Sequence, residues 1–375
     1  MKKVVNILKK PITSTFIAIF FGFIVAAIVL SAAGYNPFEA FSALFKGIFS
    51  KPKYISNTII KSTPIILTGL SVAFAFKTGL FNIGAEGQYI VGTIVTTIVG
   101  IKLDLPPVLQ IPIIILAGVI AGALYGGIVG LLKAKFGIHE VITSIMLNWI
   151  ALYLSNFVVG LKEFHQPSST ATYMINKSGF TTILENWKNS DAGIETLSKH
   201  KWLSDMLLKT DMNIGIIVAI IAAIVIWLLL YKSSKGYELR AVGSNKYAAE
   251  FAGINVNKNI IQAMLIAGAL SGLAGALSIT GVAPHKISTM AAFENNGFNG
   301  MSVALIAGSS PIGCIFSGLL FGGLIYGGQA IQSAIGAPSE IINIMMGTIV
   351  FFVALTKIVP VLADKLLKRG EINVK

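Results

Sequence analysis

Ten apolar runs, separated by short polar connections, follow one another along this chain at residues 15–33, 58–76, 83–100, 111–132, 141–160, 213–231, 259–280, 299–309, 312–331 and 341–359. A helix rises about 1.5 Å per residue, so about 20 mostly apolar residues cross the roughly 30 Å of hydrocarbon in a bilayer. Most of these runs meet that length, and the succession predicts an all-α polytopic membrane protein of about ten transmembrane helices. Composition agrees: 54% of the residues are hydrophobic and 12% charged, with a mean hydropathy of +0.78, far from a soluble domain. The eighth run ends at Ser309-Ser310-Pro311 and is too short to cross untilted, so a half-helix followed by a break is expected there.

The net charge of +13 does not point to nucleic acid, because the basic residues sit in short groups between apolar runs rather than on one soluble face. Cytoplasmic flanks of membrane helices retain Lys and Arg. With the N-terminus inside, Lys2, Lys3, Lys9, Lys10, Lys77, Lys133, Lys135, Lys232, Lys235, Arg240, Lys246, Lys258, Lys357, Lys365, Lys368, Arg369 and Lys375 fall in the cytoplasm, 17 of the 29 basic residues. Six of the others lie in the long external segment 161–213, where six acidic residues balance them. The expectation is N-in and C-in, with residues 1–375 forming a single transmembrane domain. Two sets of five crossings would then be inverted relative to one another, and Phe81-Asn82-Ile83-Gly84 and Phe298-Asn299-Gly300 form a faint echo between the halves.

The run after Lys9 and Lys10 is longer than a secretory signal core and is followed by Gly34-Tyr35-Asn36-Pro37, a poor cleavage site, so it reads as a first span. Cys314 is the only cysteine, and His139, His165, His200 and His285 are scattered, which argues against a metal site. Spacings such as Gly118, Gly122, Gly126 and Gly130, or Gly268 and Gly272, put small residues on one helix face and predict close helix packing.

The most informative stretch is the predicted cytoplasmic segment 232–258. Within it Asn245 can cap a short helix that Gly253 stops, with Ala248, Ala249 and Ala252 as small residues suited to a groove. From the residues alone an ordinary amphipathic connector reads as well. The pattern Glu238-Leu239-Arg240-Ala241-Val242-Gly243, Asn245, Ala248-Ala249 and Ala252-Gly253-Ile254 resembles the coupling loop of ABC importer permeases of the ribose, branched-chain amino acid and nucleoside superfamily. The likeness runs on through Gly268, Ser271-Gly272-Leu273-Ala274-Gly275 and Asn299 to Gly308. It implies that Glu238, Arg240, Gly243, Asn245, Ala248, Ala249 and Gly253 serve ATPase coupling. The implied partners are an ABC ATPase subunit, a second permease subunit forming a heterodimer, and an extracellular substrate-binding lipoprotein, in the cell membrane of a bacterium and with no cofactor.

Phe81-Asn82-Ile83-Gly84-Ala85-Glu86-Gly87-Gln88-Tyr89 opens the third run. Two glycines and an Asn there predict irregular backbone, which membranes tolerate only where protein or a water-filled cavity surrounds it. Glu86 is an ionisable group at membrane depth and so a functional candidate, against the plainer reading of a carboxylate capping the helix that follows. Asn82, Glu86, Gln88 and Asn299 are the pathway candidates. The Asn-Ile-Gly-Ala-Glu-Gly-Gln string is similar to the nucleoside (guanosine-type) branch of the superfamily, which implies a nucleoside substrate, with ribose-type sugars or branched-chain amino acids as alternatives. Asn148 and Trp149 could line a pathway or tie helices together. No phosphate-binding loop of the G-x-x-x-x-G-K-[ST] type and no hydrolase constellation is present, so ATP hydrolysis is expected in a partner chain and the protein is not expected to be an enzyme. An ion-coupled secondary transporter is the rival of a different class, and it lacks a relay of acidic or His residues around Glu86.

Overall fold

The computed structural model describes residues 11–355. Lys2, Lys3, Lys9, Lys10 and the basic residues from Lys357 to Lys375, with the end of the last predicted run, lie outside them. Two compact units emerge among the described residues, one of residues 51–323 and one joining residues 11–50 with 324–355. No named strand occurs among the described residues, only isolated bridges such as Ala171 to Ser288 and Thr182 to Asn213.

In the smaller unit α1 (Pro11–Ala32) packs against α16 (Ser339–Ala354), and α2 (Pro37–Phe49) lies beside α1. Asn36 begins α2 by accepting a hydrogen bond from the Phe38 N–H. Buried Ala40, Leu44 and Ile48 mark one face of α2, and exposed Phe38, Phe45 and Phe49 mark the other.

The larger unit is built around α3 (Pro52–Lys77), α4 (Ala85–Lys102), α5 (Pro107–Phe136), α6 (Glu140–Gly160), α10 (Gly215–Lys232) and α13 (Val256–Gly281). Three short helices, α7 (Glu185–Lys188), α8 (Asp191–Ser198) and α9 (Lys201–Leu207), lie in the predicted external segment. A hairpin of α11 (Ser234–Ser244) and α12 (Lys246–Phe251) joins α10 to α13. The unit closes with α14 (Asn296–Ile306) and the first half of α15 (Pro311–Ile335). Each of the ten predicted runs overlaps a helix, the eighth as far as Ile306 and the last as far as Ala354 among the described residues. Six of these helices are long and apolar enough to cross a membrane, namely α3, α5, α6, α10, α13 and α15, and the stretches Phe16–Ala32 and Ser339–Phe352 are shorter and apolar.

Packing follows the small residues. Gly122 of α5 sits where a Cβ would lie 2.5 Å from the Gly268 carbonyl and 2.6 Å from the Gly272 Cα of α13, and Gly126 meets Met264 and Gly268 in the same way. The four-residue glycine spacing is therefore a helix seam. In lipid, where apolar burial gives no net drive, such backbone approach is what holds helices together. The seam makes α5 and α13 a rigid pair that supports α4, which lies against both.

Candidate functional site

Helix α14 is a half-helix inserted beside the middle of α3. Its first turn meets Thr68, whose hydroxyl donates to the Asn296 carbonyl at 2.8 Å, and Thr68 is nine residues, about 13 Å, from the Lys77 end of α3. The preceding helix α13 ends at Gly281 against Asn213, whose side-chain amide donates to the Gly281 carbonyl at 2.9 Å. Residues 282–295 therefore turn back into the layer before α14 begins. Gly308 and Ser309, with φ of 59° and 57°, then break the chain before Pro311, which is the break the sequence predicts.

The N-terminus of α14 is closed by Glu86. Its carboxylate, wholly buried, accepts the Asn295 N–H at 2.9 Å and the Gly297 N–H at 2.5 Å. A helix start leaves N–H groups without partners and carries partial positive charge, so a carboxylate is the side chain best suited to it. Glu86 thus caps a helix 210 residues away in sequence rather than its own. Gly297 and Gly300 make the approach possible, since a Cβ on Gly297 would overlap the Glu86 backbone and one on Gly300 would overlap Thr68.

Asn82 and Gln88 set the entry to α4. The Gln88 amide donates to the Asn82 carbonyl oxygen and the Asn82 amide donates back to Gln88, both at 2.9 Å, and Asn82 also donates to the Ser71 hydroxyl at 2.9 Å. Ser71 in turn donates to the Ala267 carbonyl at 2.6 Å, reaching α13. Both amides are buried; they position Glu86. Asn148 supports the same turn, accepting the Gly87 N–H at 2.8 Å and donating to the Ile83 carbonyl at 3.0 Å. Its neighbour Trp149 points away and is exposed. Asn299, half-buried on α14, makes no side-chain bond with these groups.

Beside this junction lies a cavity of about 380 Å³ between α3, α4, α13 and residues 282–290, a size in the range of small-molecule pockets. Tyr89, Glu294 and Asn296 form its polar end, with Tyr89 Oη and Asn296 Nδ2 each donating to Glu294 Oε2 at 3.1 Å. Pro64 on the wall has no N–H to offer the Ile60 carbonyl, the partner of a regular helix. Ser155 also lines the cavity, buried and with its hydroxyl unbonded. Next to the wall residue Pro284, the buried His285 imidazole stacks on Phe180 with ring centroids 3.8 Å apart. Glu294, Tyr89, Thr68 and Ser155 carry no local signature that sequence reading could have used.

At the other end of α3 the hairpin α11–α12 is anchored to the helices. A Cβ on Gly243 would lie 2.6 Å from the Lys77 carbonyl, and Gly79, at φ +76°, meets the Gly243 Cα. Arg240 Nε donates to the Leu230 carbonyl at 2.9 Å and its guanidinium lies 5.3 Å from the Tyr231 ring centroid. Glu238 accepts from Lys235 at 2.8 Å and from Asn259 at 3.3 Å; the Lys235 bond, then that from Asn259, holds its carboxyl below the ordinary range. Asn245 accepts the N–H groups of Tyr247 and Ala248 at 3.0 and 3.1 Å, and Gly253, at φ +82°, ends α12. Cap and stop are those the sequence predicts. The small-residue face is divided: Ala249 is buried against the protein, while Ala248 and Ala252 are exposed together with Tyr247 and Phe251, the last at 96%. Successive helix positions lie about 100° apart, so a cluster of alanines spans more than one face. Among the described residues, no three His, Cys, Asp or Glu gather as a metal site.

A membrane-embedded helical protein with an inserted half-helix and an anchored hairpin displaying aromatic rings has the architecture of a transporter subunit. Residues 54–354 match the family described as "Branched-chain amino acid transport system / permease component", and the chain belongs to that family. It is 39% identical to the guanosine ABC transporter permease protein NupP of Bacillus subtilis, over 94% of this chain and 96% of that one. It is 36% identical to the nucleoside ABC transporter permease protein NupB of Lactococcus lactis, over 93% and 92% of the two chains. A second guanosine ABC transporter permease of Bacillus subtilis, NupQ, is 26% identical over 71% of this chain and 78% of its own length. No solved structure gives a significant match. The protein is a multi-pass component of the cell membrane and works within an ABC transporter complex.

Proposed function

We propose that this chain is one permease of a nucleoside importer, paired with a second and different permease, driven by a cytoplasmic ATPase and fed by an external substrate-binding lipoprotein. The observation that carries the reading is near full-length similarity to two permeases named for guanosine and nucleosides. Similarity to NupQ, a second permease of the same bacterium as NupP, supports a heterodimer.

In this reading the whole chain acts as one permease domain of ten crossings, N-in and C-in, built as an inverted repeat of five. The exposed rings on α12 insert into the ATPase; Glu238, Arg240, Gly243, Asn245, Ala249 and Gly253 hold that helix in place and Ala248 lies in the contact. Asn82, Glu86 and Gln88 hold the half-helix beside the pathway, and Asn299 faces it from α14. Half-helix starts at mid-membrane are where transporters place their substrates. External residues 161–213 and α2 receive the lipoprotein. ATP-dependent accumulation of a labelled purine nucleoside by cells expressing the four components tests the function. Accumulation that persists without the ATPase and follows an ion gradient would replace it with a secondary carrier.

Orientation has its own test. With Cys314 replaced, Ser198→Cys should react with an impermeant thiol reagent added to intact cells, and Ser234→Cys should react only after permeabilisation. Labelling of Ser234→Cys in intact cells reverses the topology.

A further inference from the structure

Glu294 sets the chemistry at one end of the cavity beside the half-helix. Its Oε2 accepts the Tyr89 hydroxyl and the Asn296 side-chain amide, each at 3.1 Å, which holds the carboxylate at the cavity wall. Its Oε1 has no hydrogen-bond partner among the described residues. No lysine, arginine or histidine among them forms an ion pair with it. A carboxylate oxygen offers about two acceptor sites, so Oε2 is filled and Oε1 is open.

The rest of the wall leans toward acceptors as well. Thr63, Thr93 and Ser278 line the cavity, and each spends its hydroxyl proton inside its own helix, on the Ile59, Ile90 and Ala274 carbonyls at 3.0, 2.7 and 2.9 Å. A hydroxyl that donates inward keeps lone pairs for an incoming donor. Pro64 leaves the Ile60 carbonyl without its regular helix donor, and Lys286 is engaged on Gln166 Oε1 at 3.0 Å. The complementary feature of a ligand is a set of closely placed donors. A metal cation is disfavoured, because Lys61 and Lys286 stand on the same wall.

A nucleoside carries such a set in its sugar, whose 2′ and 3′ hydroxyls are neighbours, and a carboxylate is a suitable acceptor for ribose hydroxyls. A base that pairs two adjacent N–H groups with a carboxylate asks for both oxygens, and here one is already filled. We propose that the Glu294 end of the cavity is a ribose subsite, in which Oε1 accepts the 2′ and 3′ hydroxyls of the nucleoside. Such a subsite selects ribonucleosides over their deoxy forms and is indifferent to the base. The inference rests on the nucleoside reading above.

The test is equilibrium binding to the purified complex of both permeases and the ATPase, with the lipoprotein left out so that its own preference does not enter. Guanosine should bind at least about tenfold more tightly than 2′,3′-dideoxyguanosine, because the analogue lacks the hydrogen bonds to a charged group. Glu294→Ala should weaken guanosine to the level of the analogue and leave the analogue's affinity unchanged. Should Glu294→Ala fail to insert, Glu294→Gln decides, with a smaller loss of preference because the amide keeps one acceptor. A preference that survives undiminished in the deciding variant overturns the subsite. So does an equal loss of both ligands, the result of a purely structural role. Where the wild-type transporter imports nucleoside in cells, equal binding of the two ligands, or no binding of guanosine, overturns the subsite alone. Absence of ATP-driven nucleoside import by the wild type overturns the functional reading itself, and the ribose subsite with it.

Discussion

Glu86→Gln is expected to lower ATP-driven nucleoside uptake by more than about tenfold at matched membrane abundance. Both carboxylate oxygens are used, on the Asn295 and Gly297 N–H groups. A glutamine keeps one acceptor and turns an NH2 toward the other N–H, leaving a buried donor facing a donor. Hydrogen bonds to a charged group contribute about 1.5 to 3 kcal/mol each, and stranding a buried donor costs about 1 to 3 kcal/mol. The change therefore weakens the hold on α14 by enough to let its first turn fray. Glu163→Gln is the control. Its carboxylate is paired with Lys102 but its side chain is 60% exposed, and such pairs contribute about 0 to 1 kcal/mol. Equal uptake by the two variants would make the Glu86 contact a fold marker without a part in transport.

Phe251→Ala is expected to weaken ATPase association by about 30-fold or more while leaving the permease inserted and folded. The ring is almost wholly exposed and Tyr247 on the same helix is open too, so the side chain contributes little to this chain's own packing. A buried aromatic anchor at an interface is typically worth 2 kcal/mol or more, about 30-fold in affinity. Copurification of the ATPase in detergent, compared between wild type and Phe251→Ala, reads it directly. Unchanged copurification would move the contact off α12. Ala249→Trp is a poor probe of the same contact, because Ala249 is buried inside the permease and a larger side chain disturbs the helix's own seat.

The parts that depend on neighbours in sequence were legible beforehand. The Asn245 cap, the Gly253 stop, the glycine spacings of α5 and α13 and the break before Pro311 each have a local chemical cause, and each is found where expected. What was illegible is pairing across the chain. The irregular turn before α4 marks Glu86 as unusual, but nothing nearby says that its partners are Asn295 and Gly297. Asn148 and Trp149 read as one polar pair, yet adjacent helix residues point in different directions. One of them is locked to Gly87 and Ile83 while the other is exposed on another side of the helix. Ala248 and Ala249 divide in the same way.

Helix α3 has glycine contacts at both the half-helix and the hairpin, and these have a mechanical consequence. Gly300 rests on Thr68 and Gly69, and Gly243 rests on Lys77, Thr78 and Gly79. The two footholds are eight residues apart along one helix, about 12 Å. At the hairpin foothold backbone bears on backbone, and at the half-helix the Gly300 backbone bears on the Gly69 backbone and the Thr68 hydroxyl, which is itself tied to the Asn296 carbonyl. A push on the hairpin therefore reaches the half-helix as a shift of a stiff rod, with only the short Thr68 and Val303 side chains to take up slack at the far joint.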